Sequence, residues 1–284
     1  MAAINAVPVD VSNLEQLRAW DGDEGAYWAA NAEHFDRSMA VYHRQLLEIA
    51  AIREADRVLD IGCGTGQTTR DAARAASAGS ALGVDLSARM LDYARRRAVD
   101  DGITNATFAQ ADAQIYAFEP SAYDLAISRT AAMFFNDHVA AFANIGRALR
   151  SRGRLVLVTW QSLAGNEWIR EIMGALAGER NLPAPPPDAG PFALSSPDRV
   201  RALLTSAGYR DVALDGTTAS MWFGNDADDA HRFTLGLMGW MLEGLDAAAR
   251  NRAVEALHDT MTSHETSNGV FFESAAWTIQ AVRP

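Results

Sequence analysis

The most constraining feature of the chain is a glycine-rich loop that directly follows a short apolar run. The run is Arg57-Val58-Leu59-Asp60-Ile61, and the loop is Gly62-Cys63-Gly64-Thr65-Gly66. A run of this length is typical of a buried strand, and the alanine-rich segment 68–78 predicts a helix after the loop. Glycines permit positive φ angles and close approach of the backbone to a ligand, and the helix end offers free N–H groups. The sequence therefore predicts a strand–loop–helix unit that binds a nucleotide-like ligand.

The same alternation of apolar runs and helical segments continues beyond this unit. Strands are predicted over 80–85, 106–110, 123–128 and 154–160, and helices over 88–101 and 138–149. Strands that alternate with helices of this length form a parallel sheet with right-handed crossovers. Residues 57–160 thus predict an α/β fold.

The two ends of the chain show different patterns. Segment 12–52 has helical periodicity with a break near Asp21, and segment 182–197 contains six of the nine prolines, which predicts a non-regular loop. The other predicted elements are helices over 166–180 and 197–207, two helices within 226–264, and strands over 209–219 and 269–282.

The composition restricts the classes of function. The 284-residue chain has a formal net charge of −11. Such a surface repels phosphate backbones and anionic lipids, so neither a nucleic-acid partner nor membrane adhesion is expected. All 25 basic residues are arginines. The absence of lysine excludes a P-loop lysine and a Schiff-base lysine.

The single cysteine, Cys63, excludes an internal disulfide and a cysteine-based metal cluster, and it favours a reducing compartment. The six histidines lack the spacing of metal ligands, so no metal is expected. No apolar run approaches the roughly 20 residues of a membrane span, and residues 1–13 lack the pattern of a signal peptide. We therefore expect a cytoplasmic monomer or homodimer that acts on a small molecule.

Acidic residues follow the predicted strands and indicate the kind of ligand. The loop spacing is GxGxG rather than GxGxxG, and Asp60 lies beside it, which disfavours a dinucleotide and suits a cationic ligand such as S-adenosylmethionine. Asp85 ends the second strand and is predicted to bind ribose hydroxyls; the alternative is a helix cap. Asp112, after the third strand, is predicted to bind an adenine amino group, with the amides of Ala113 and Gln114 pairing the ring; the alternative is a turn aspartate.

These motifs resemble the class I S-adenosylmethionine-dependent methyltransferases, in particular the ubiquinone/menaquinone-biosynthesis type and its small-molecule relatives. The matching stretches are Val58–Gly66, Gly83–Ser87 with Met90-Leu91, Ala111–Ala113, Tyr123–Arg129 and Gly153–Val158. The resemblance implies a doubly wound, Rossmann-like α/β fold with a seven-stranded, mostly parallel sheet whose last strand, 269–282, is antiparallel. It also implies an N-terminal helical cap (1–52), a methyltransferase core (53–223 and 268–284) and a helical cap insertion (224–267).

The resemblance also implies the cofactor and its contacts. S-adenosylmethionine would bind, and S-adenosylhomocysteine would be the product. The implied contact residues, including two N-terminal aromatic residues, are Tyr27, Trp28, Gly62, Cys63, Gly64, Gly66, Asp85, Leu86, Met90, Asp112, Ala113 and Ser128.

The methyl acceptor is expected to be small and apolar or aromatic, because methionines and aromatic residues are frequent near the proposed cap. Phe134, Trp222 and Met238 are the candidate acceptor contacts. His138, which follows the fourth strand, is the candidate general base, although a solvent-facing histidine at a helix start is an equally good interpretation. Carbon or oxygen methylation is favoured, and nitrogen methylation stays open.

Two other functions compete with methyl transfer. A nicotinamide-dependent oxidoreductase also uses a glycine loop, but it is disfavoured by the loop spacing and by the absence of lysine. A catalytically silent cofactor-binding partner of another enzyme is the second alternative, and the intact loop disfavours it.

Overall fold

The computed structural model describes residues 7–180 and 190–284. Residues 182–189 of the predicted proline-rich loop lie outside this part, and Gly190–Phe192 form a short 3-10 turn. The strands are β1 Arg57–Ile61, β2 Ser80–Asp85, β3 Ala106–Gln110, β4 Tyr123–Arg129, β5 Leu149–Trp160, β6 Arg210–Gly224, β7 Glu265–Thr266 and β8 Gly269–Val282.

One mixed sheet of order β3-β2-β1-β4-β5-β8-β6 organises the molecule, and the two-residue strand β7 pairs with β8 outside this path. The first five strands in this order are mutually parallel. Strand β8 runs antiparallel to both β5 and β6. The predicted seven-stranded, mostly parallel sheet with an antiparallel last strand is confirmed.

The central strands are buried because helices cover both faces of the sheet. In β1, Val58 and Leu59 are fully buried, and they pair in register with Ala81 and Leu82 of β2. Parallel strands of this kind have near-continuous apolar sequences, since neither face meets water. This is why a five-residue apolar run was sufficient to predict β1.

Helices pack around the sheet. Four short helices precede β1, namely α1 Leu14–Trp20, α2 Asp23–Ala30, α3 Ala32–Ser38 and α4 Ala40–Ala50. The later helices are α5 Gln67–Ala75, α6 Ala88–Asp100, α7 His138–Ala148, α8 Glu167–Ala177, α9 Pro197–Ser206, α10 Ala227–Met238 and α11 Ala247–Ser263. No helix in the described ranges is long and apolar enough to span a bilayer.

Several helices begin where the sequence places a capping side chain. Ser87 accepts a hydrogen bond from the Met90 N–H at the start of α6, and Asp137 accepts one from the Ala140 N–H at the start of α7. Such caps satisfy backbone donors that have no partner within the helix. These caps fix where α6 and α7 begin, in the connections that follow β2 and β4.

The N-terminal and C-terminal helices meet above the carboxyl edge of the sheet. The Tyr27 hydroxyl of α2 donates to the Phe233 carbonyl of α10 at 2.7 Å. The His34 ring of α3 stacks on the Phe233 ring with centroids 3.7 Å apart. The two helical segments therefore close the same side of the core.

Candidate active site

A cavity of about 440 Å³ lies at the carboxyl edge of the parallel strands, beneath the two helical segments. Open α/β sheets bind their ligands at this edge. Its polar end is formed where β1, β2 and β3 finish, and it is lined by Asn13, Gln16, Gly62, Gly64, Asp85, Leu86, Met90, Asp112 and Ala113. Its opposite end is lined mainly by apolar and aromatic side chains.

The glycine loop is held against the end of β2 by backbone bonds. Gly62, Gly64 and Gly66 all have positive φ angles, of 64°, 53° and 77°. The Gly62 N–H donates to the Val84 carbonyl at 2.9 Å. The Gly64 N–H donates to the Asp85 carboxylate at 2.8 Å. The loop backbone consequently forms the floor of the polar end.

The glycines of this loop have different functions. A Cβ at Gly62 would lie 2.3 Å from the Ala131 Cβ, and one at Gly66 would lie 2.6 Å from the Ala94 Cβ. A Cβ at Gly64 would meet only the Met90 sulfur, at 3.7 Å. Gly66 lies outside the described cavity lining, and a glycine is needed there because α6 packs closely against it. Gly62 and Gly64, in contrast, line the cavity.

Asp85 lines the cavity at the end of β2, and the cap of α6 is Ser87 rather than Asp85. Its carboxylate accepts from the Gly64 N–H and from the Ser87 N–H at 2.9 Å, while Ser87 itself caps α6. Desolvation raises the pKa of Asp85, and the three backbone donors at Ser87, Gly64 and Leu86 oppose this shift. Three donors leave about one of the four acceptor positions of the carboxylate open to a ligand hydroxyl.

Asp112 lines the cavity beside Ala113, as predicted, but its carboxylate already has protein partners. The Asn13 amide donates to both of its oxygens, at 3.0 and 3.1 Å. The Asp10 N–H donates to Oδ2 at 3.0 Å and the Gln114 N–H to Oδ1 at 2.9 Å. The bond from Gln114 is that of a turn aspartate, so Asp112 fits both interpretations given by the sequence.

Asp60 in β1 and Cys63 in the loop are both buried. The Thr69 hydroxyl donates to the Asp60 carboxylate at 2.6 Å. Burial raises the pKa of Asp60 to about 7, against the lowering effects of Thr69 and the Arg129 charge. Burial also raises the pKa of the Cys63 thiol, which makes it a poor nucleophile.

Four predicted cofactor contacts lie outside the described cavity lining: Tyr27, Cys63, Gly66 and Ser128. The Ser128 hydroxyl donates to the Ile61 carbonyl at 2.7 Å and accepts from the Ala132 N–H, so it joins two loops. The Tyr27 hydroxyl is bonded to Phe233, and burial raises the pKa of Tyr27 to about 12. Trp28, in contrast, lines the cavity and stacks on Phe35 with centroids 3.5 Å apart.

The apolar end of the cavity contains two of the three predicted acceptor contacts, Phe134 and Met238. Trp222 is not part of the described lining. Its ring instead lies under the Arg37 guanidinium, 3.8 Å from the ring centroid, on the outer side of β6. Successive strand residues face opposite sides of a sheet, and its neighbours Met221 and Phe223 do line the cavity.

His138 also lies away from the described cavity lining. It is buried at the start of α7, and its Nε2 is 3.2 Å from the Met133 carbonyl. Burial lowers the pKa of His138, which favours the neutral ring. The structure thus places the candidate base in the packing behind the cavity wall, where it bonds to backbone.

Several lining residues were not predicted from the sequence. Arg129, the last residue of β4, lines the cavity, forms an ion pair with Asp36 at 3.2 Å and donates to the Gln67 side chain. Its position at the carboxyl end of a predicted strand could have identified it as a cavity residue. The other unpredicted residues came from separate elements without a common motif; they include Asn13, Trp20, Glu24, Phe35, Ser38, Met39, Trp160, Trp168 and Leu237.

The titratable side chains of the described lining are few: Glu24, Asp85, Asp112 and Arg129. Desolvation raises the pKa of Glu24. Glu24 precedes Gly25, where a Cβ would lie 2.5 Å from the Ser87 hydroxyl, so it belongs to the polar end. Residues 7–180 and 190–284 contain no group of three or more His, Cys, Asp or Glu side chains placed to hold a metal.

Comparison with known proteins agrees with this geometry. Residues 58–153 match the methyltransferase domain family. The chain is 28% identical over 148 residues to aklanonic acid methyltransferase from Streptomyces sp. (strain C5), covering 48% of this chain and 67% of the relative. It is 34% identical over 114 residues to the ubiquinone/menaquinone biosynthesis C-methyltransferase of Teredinibacter turnerae, covering 39% of this chain and 46% of the relative.

A solved structure shares the fold over most of the chain. It is phosphoethanolamine N-methyltransferase 2 from Haemonchus contortus in complex with S-adenosyl-L-methionine. The TM-score is 0.59 with 20% sequence identity, covering 97% of this chain and 60% of the other. The match over residues 58–153 and the fold shared with this methyltransferase both agree with the resemblance found in the motifs of the chain.

Proposed function

We propose that this protein is an S-adenosylmethionine-dependent methyltransferase that acts on a small apolar or aromatic acceptor. One observation carries the proposal: a single cavity joins the loop Gly62–Gly64 and Asp85 to a wall of tryptophan, phenylalanine and methionine side chains. Transfer between two small molecules requires a polar cofactor end and an apolar acceptor end within one cavity.

The polar end fits an adenosyl cofactor with a cationic amino-acid part. Asp85 would hold the ribose hydroxyls, Leu86 and Met90 would pack on the adenosyl group, and Asp112 with Ala113 would contact the adenine. The loop backbone at Gly62 and Gly64 would carry the amino-acid part. The family match and the S-adenosylmethionine named for the Haemonchus structure support the same cofactor.

S-adenosylmethionine supplies an activated methyl group on a sulfonium, and the chain supplies position and exclusion of water. Trp28, Phe35 and Phe134 are aromatic residues of the lining that would orient a flat acceptor and keep the cavity dry. Alignment of two reactants in such a site can contribute several kcal/mol, on the order of 7–11 in well-oriented intramolecular reactions.

The acceptor is proposed to react at carbon or oxygen without a dedicated protein base. The carboxylates of the described lining, Glu24, Asp85 and Asp112, all belong to the polar end. An acceptor whose own carbon acid or phenol ionises readily needs no strong base. The names of two relatives, an aklanonic acid methyltransferase and a quinone-biosynthesis C-methyltransferase, agree with this class.

Calorimetry tests the cofactor, and methyl transfer tests the activity. We expect S-adenosylmethionine and S-adenosylhomocysteine to bind the purified protein, and NADH not to bind. Binding of NADH alone would instead support the nicotinamide-dependent oxidoreductase. Radiolabelled methyl transfer to a panel of phenols, quinones, carbon acids and amines then identifies the acceptor. Cofactor binding without transfer to any member would favour the catalytically silent partner.

A further inference from the structure

The segment before α1 crosses the adenine end of the cavity. Asp10 precedes a short 3-10 turn, Val11–Asn13, which leads into α1. Asn13 is only 2% exposed and lines the cavity, although nearly all its neighbours along the chain are exposed or half-buried. A buried amide at a cavity wall needs hydrogen-bond partners, and Asn13 finds them 99 residues later in the chain.

Those partners surround the Asp112 carboxylate. The Asn13 Nδ2 lies 3.0 Å from Asp112 Oδ1, 3.1 Å from Oδ2 and 3.2 Å from Gln114 Oε1. With only two protons for three acceptors, the Asn13 amide shares one proton between the two carboxylate oxygens. With the Asp10 and Gln114 N–H groups added, the four acceptor positions of the carboxylate are occupied.

The other atoms of the segment are also tied down. The Asn13 Oδ1 accepts from the Asn136 N–H at 3.1 Å, and the Ser12 carbonyl accepts from the Asn136 side chain at 3.0 Å. The Gln114 amide donates to the Ser12 hydroxyl at 3.1 Å. The segment is therefore bonded to the loops that follow both β3 and β4.

We propose that Asn13 is a positioning residue of the cofactor site that shares the Asp112 carboxylate with the adenine amino group. The inference rests on the proposed function. When the adenine amino group donates to one carboxylate oxygen, the Asn13 N–H donates to the other oxygen alone. Both donors then have an acceptor. Asn13 thereby holds the carboxylate in place and keeps the segment closed over the adenine.

The experiment compares cofactor binding in the wild type, Asn13→Ala and Val11→Ala. Val11 lies in the same turn but is 81% exposed, so its truncation controls for disturbance of the segment. We expect Asn13→Ala to raise the Kd for S-adenosylmethionine about tenfold and to speed dissociation of S-adenosylhomocysteine. The kcat at saturating cofactor should stay within about twofold of wild type, and Val11→Ala should behave as wild type.

A double-mutant cycle with Asp112→Asn separates positioning from a general loss of structure. In that background we expect Asn13→Ala to change the Kd by less than about twofold. An equal effect in both backgrounds, or no effect in the wild-type background, would overturn the inference. If Asn13→Ala unfolds, Asn13→Ser is the second variant; its short hydroxyl keeps a polar group at the site but loses the amide that bonds to Asp112, so the Kd should rise likewise. Failure of the wild type to bind S-adenosylmethionine would instead refute the proposed function.

Discussion

The Asp85 carboxylate accepts a hydrogen bond from the Gly64 N–H at 2.8 Å, which joins the end of β2 to the loop that follows β1. Its other oxygen accepts from the Ser87 N–H at 2.9 Å. One side chain thus fixes the loop and the turn into α6, and it also faces the cavity. The geometry of the loop and the shape of the cavity are therefore coupled at this residue.

Asp85→Asn should weaken both binding and folding. The side-chain NH2 group of the variant would face a backbone N–H donor, that of Gly64 or Ser87, instead of accepting from it. A buried donor without a partner costs about 1–3 kcal/mol. We expect that loss in the free energy of unfolding, measured in urea, and a Kd for S-adenosylmethionine raised at least tenfold. Asp92→Asn is the matched control, because Asp92 is exposed and pairs with Arg95 at the surface. An unchanged Kd in Asp85→Asn would argue against ribose binding.

Gly66→Ala and Gly64→Ala should have opposite profiles. At Gly66, the new methyl group would meet Ala94 and Phe108 at 2.6 and 2.8 Å in addition to the strain of positive φ. Strain of about 1–2 kcal/mol and overpacking of about 1–3 kcal/mol add there. At Gly64 only the strain applies, but the methyl group enters the cavity. Thermal unfolding and calorimetry should show the larger stability loss at Gly66, and cofactor binding in folded protein should suffer more at Gly64.

Asp60 should make the protein less stable as the pH rises from about 4 to 7. Burial raises its pKa from the ordinary value of 3.8 to about 7 in the folded protein. Between these values the folded state holds a proton that the unfolded chain has released, so stability is fully present below pH 4 and is lost as pH approaches 7. The contribution amounts to about 4 kcal/mol over the whole interval.

Urea unfolding of the wild type and Asp60→Asn across this interval measures the effect. The amide should remove the pH-dependent loss while keeping an acceptor for the Thr69 hydroxyl. The stability difference between the two proteins should therefore change in favour of the variant as the pH rises. Parallel stability curves would mean that Asp60 does not titrate in this range.

Trp240 offers a test of the acceptor end with little risk to folding. It lines the cavity but is 59% exposed. Surface truncations usually change stability by no more than about 0.5 kcal/mol. We expect Trp240→Ala to raise the acceptor KM several-fold without changing the Kd for S-adenosylmethionine. Val99→Ala, at an exposed site outside the described lining, serves as the control, and an unchanged acceptor KM in Trp240→Ala would place the acceptor elsewhere.

His138→Gln should retain methyl transfer. Glutamine keeps a donor for the Met133 carbonyl, and the native ring lies behind the cavity wall with a lowered pKa. We expect a single-turnover rate within about threefold of wild type. General-base catalysis typically contributes about 100- to 10,000-fold. A loss of that size in a folded variant would restore His138 as the base.

Much of the site could be predicted because strand ends are marked in the sequence itself. Gly62, Asp85 and Asp112 follow short apolar runs, and parallel strands bring their carboxyl ends to one edge. Ser128, a predicted cofactor contact, lies outside the described cavity lining for a simple reason. Ser128 and Arg129 are neighbours at the end of β4, and alternation of side chains turned the serine into the core and the arginine to the cavity.

The sequence by itself determined the order of strands and helices, the glycine loop and the acidic strand ends, because these depend on local periodicity and local backbone freedom. Only the tertiary structure decided which side chains meet. Asn13 reaches Asp112 across 99 residues, and Trp222 faces away from a cavity that its neighbours line. Such contacts depend on how separate elements pack, and packing is a property of the whole fold.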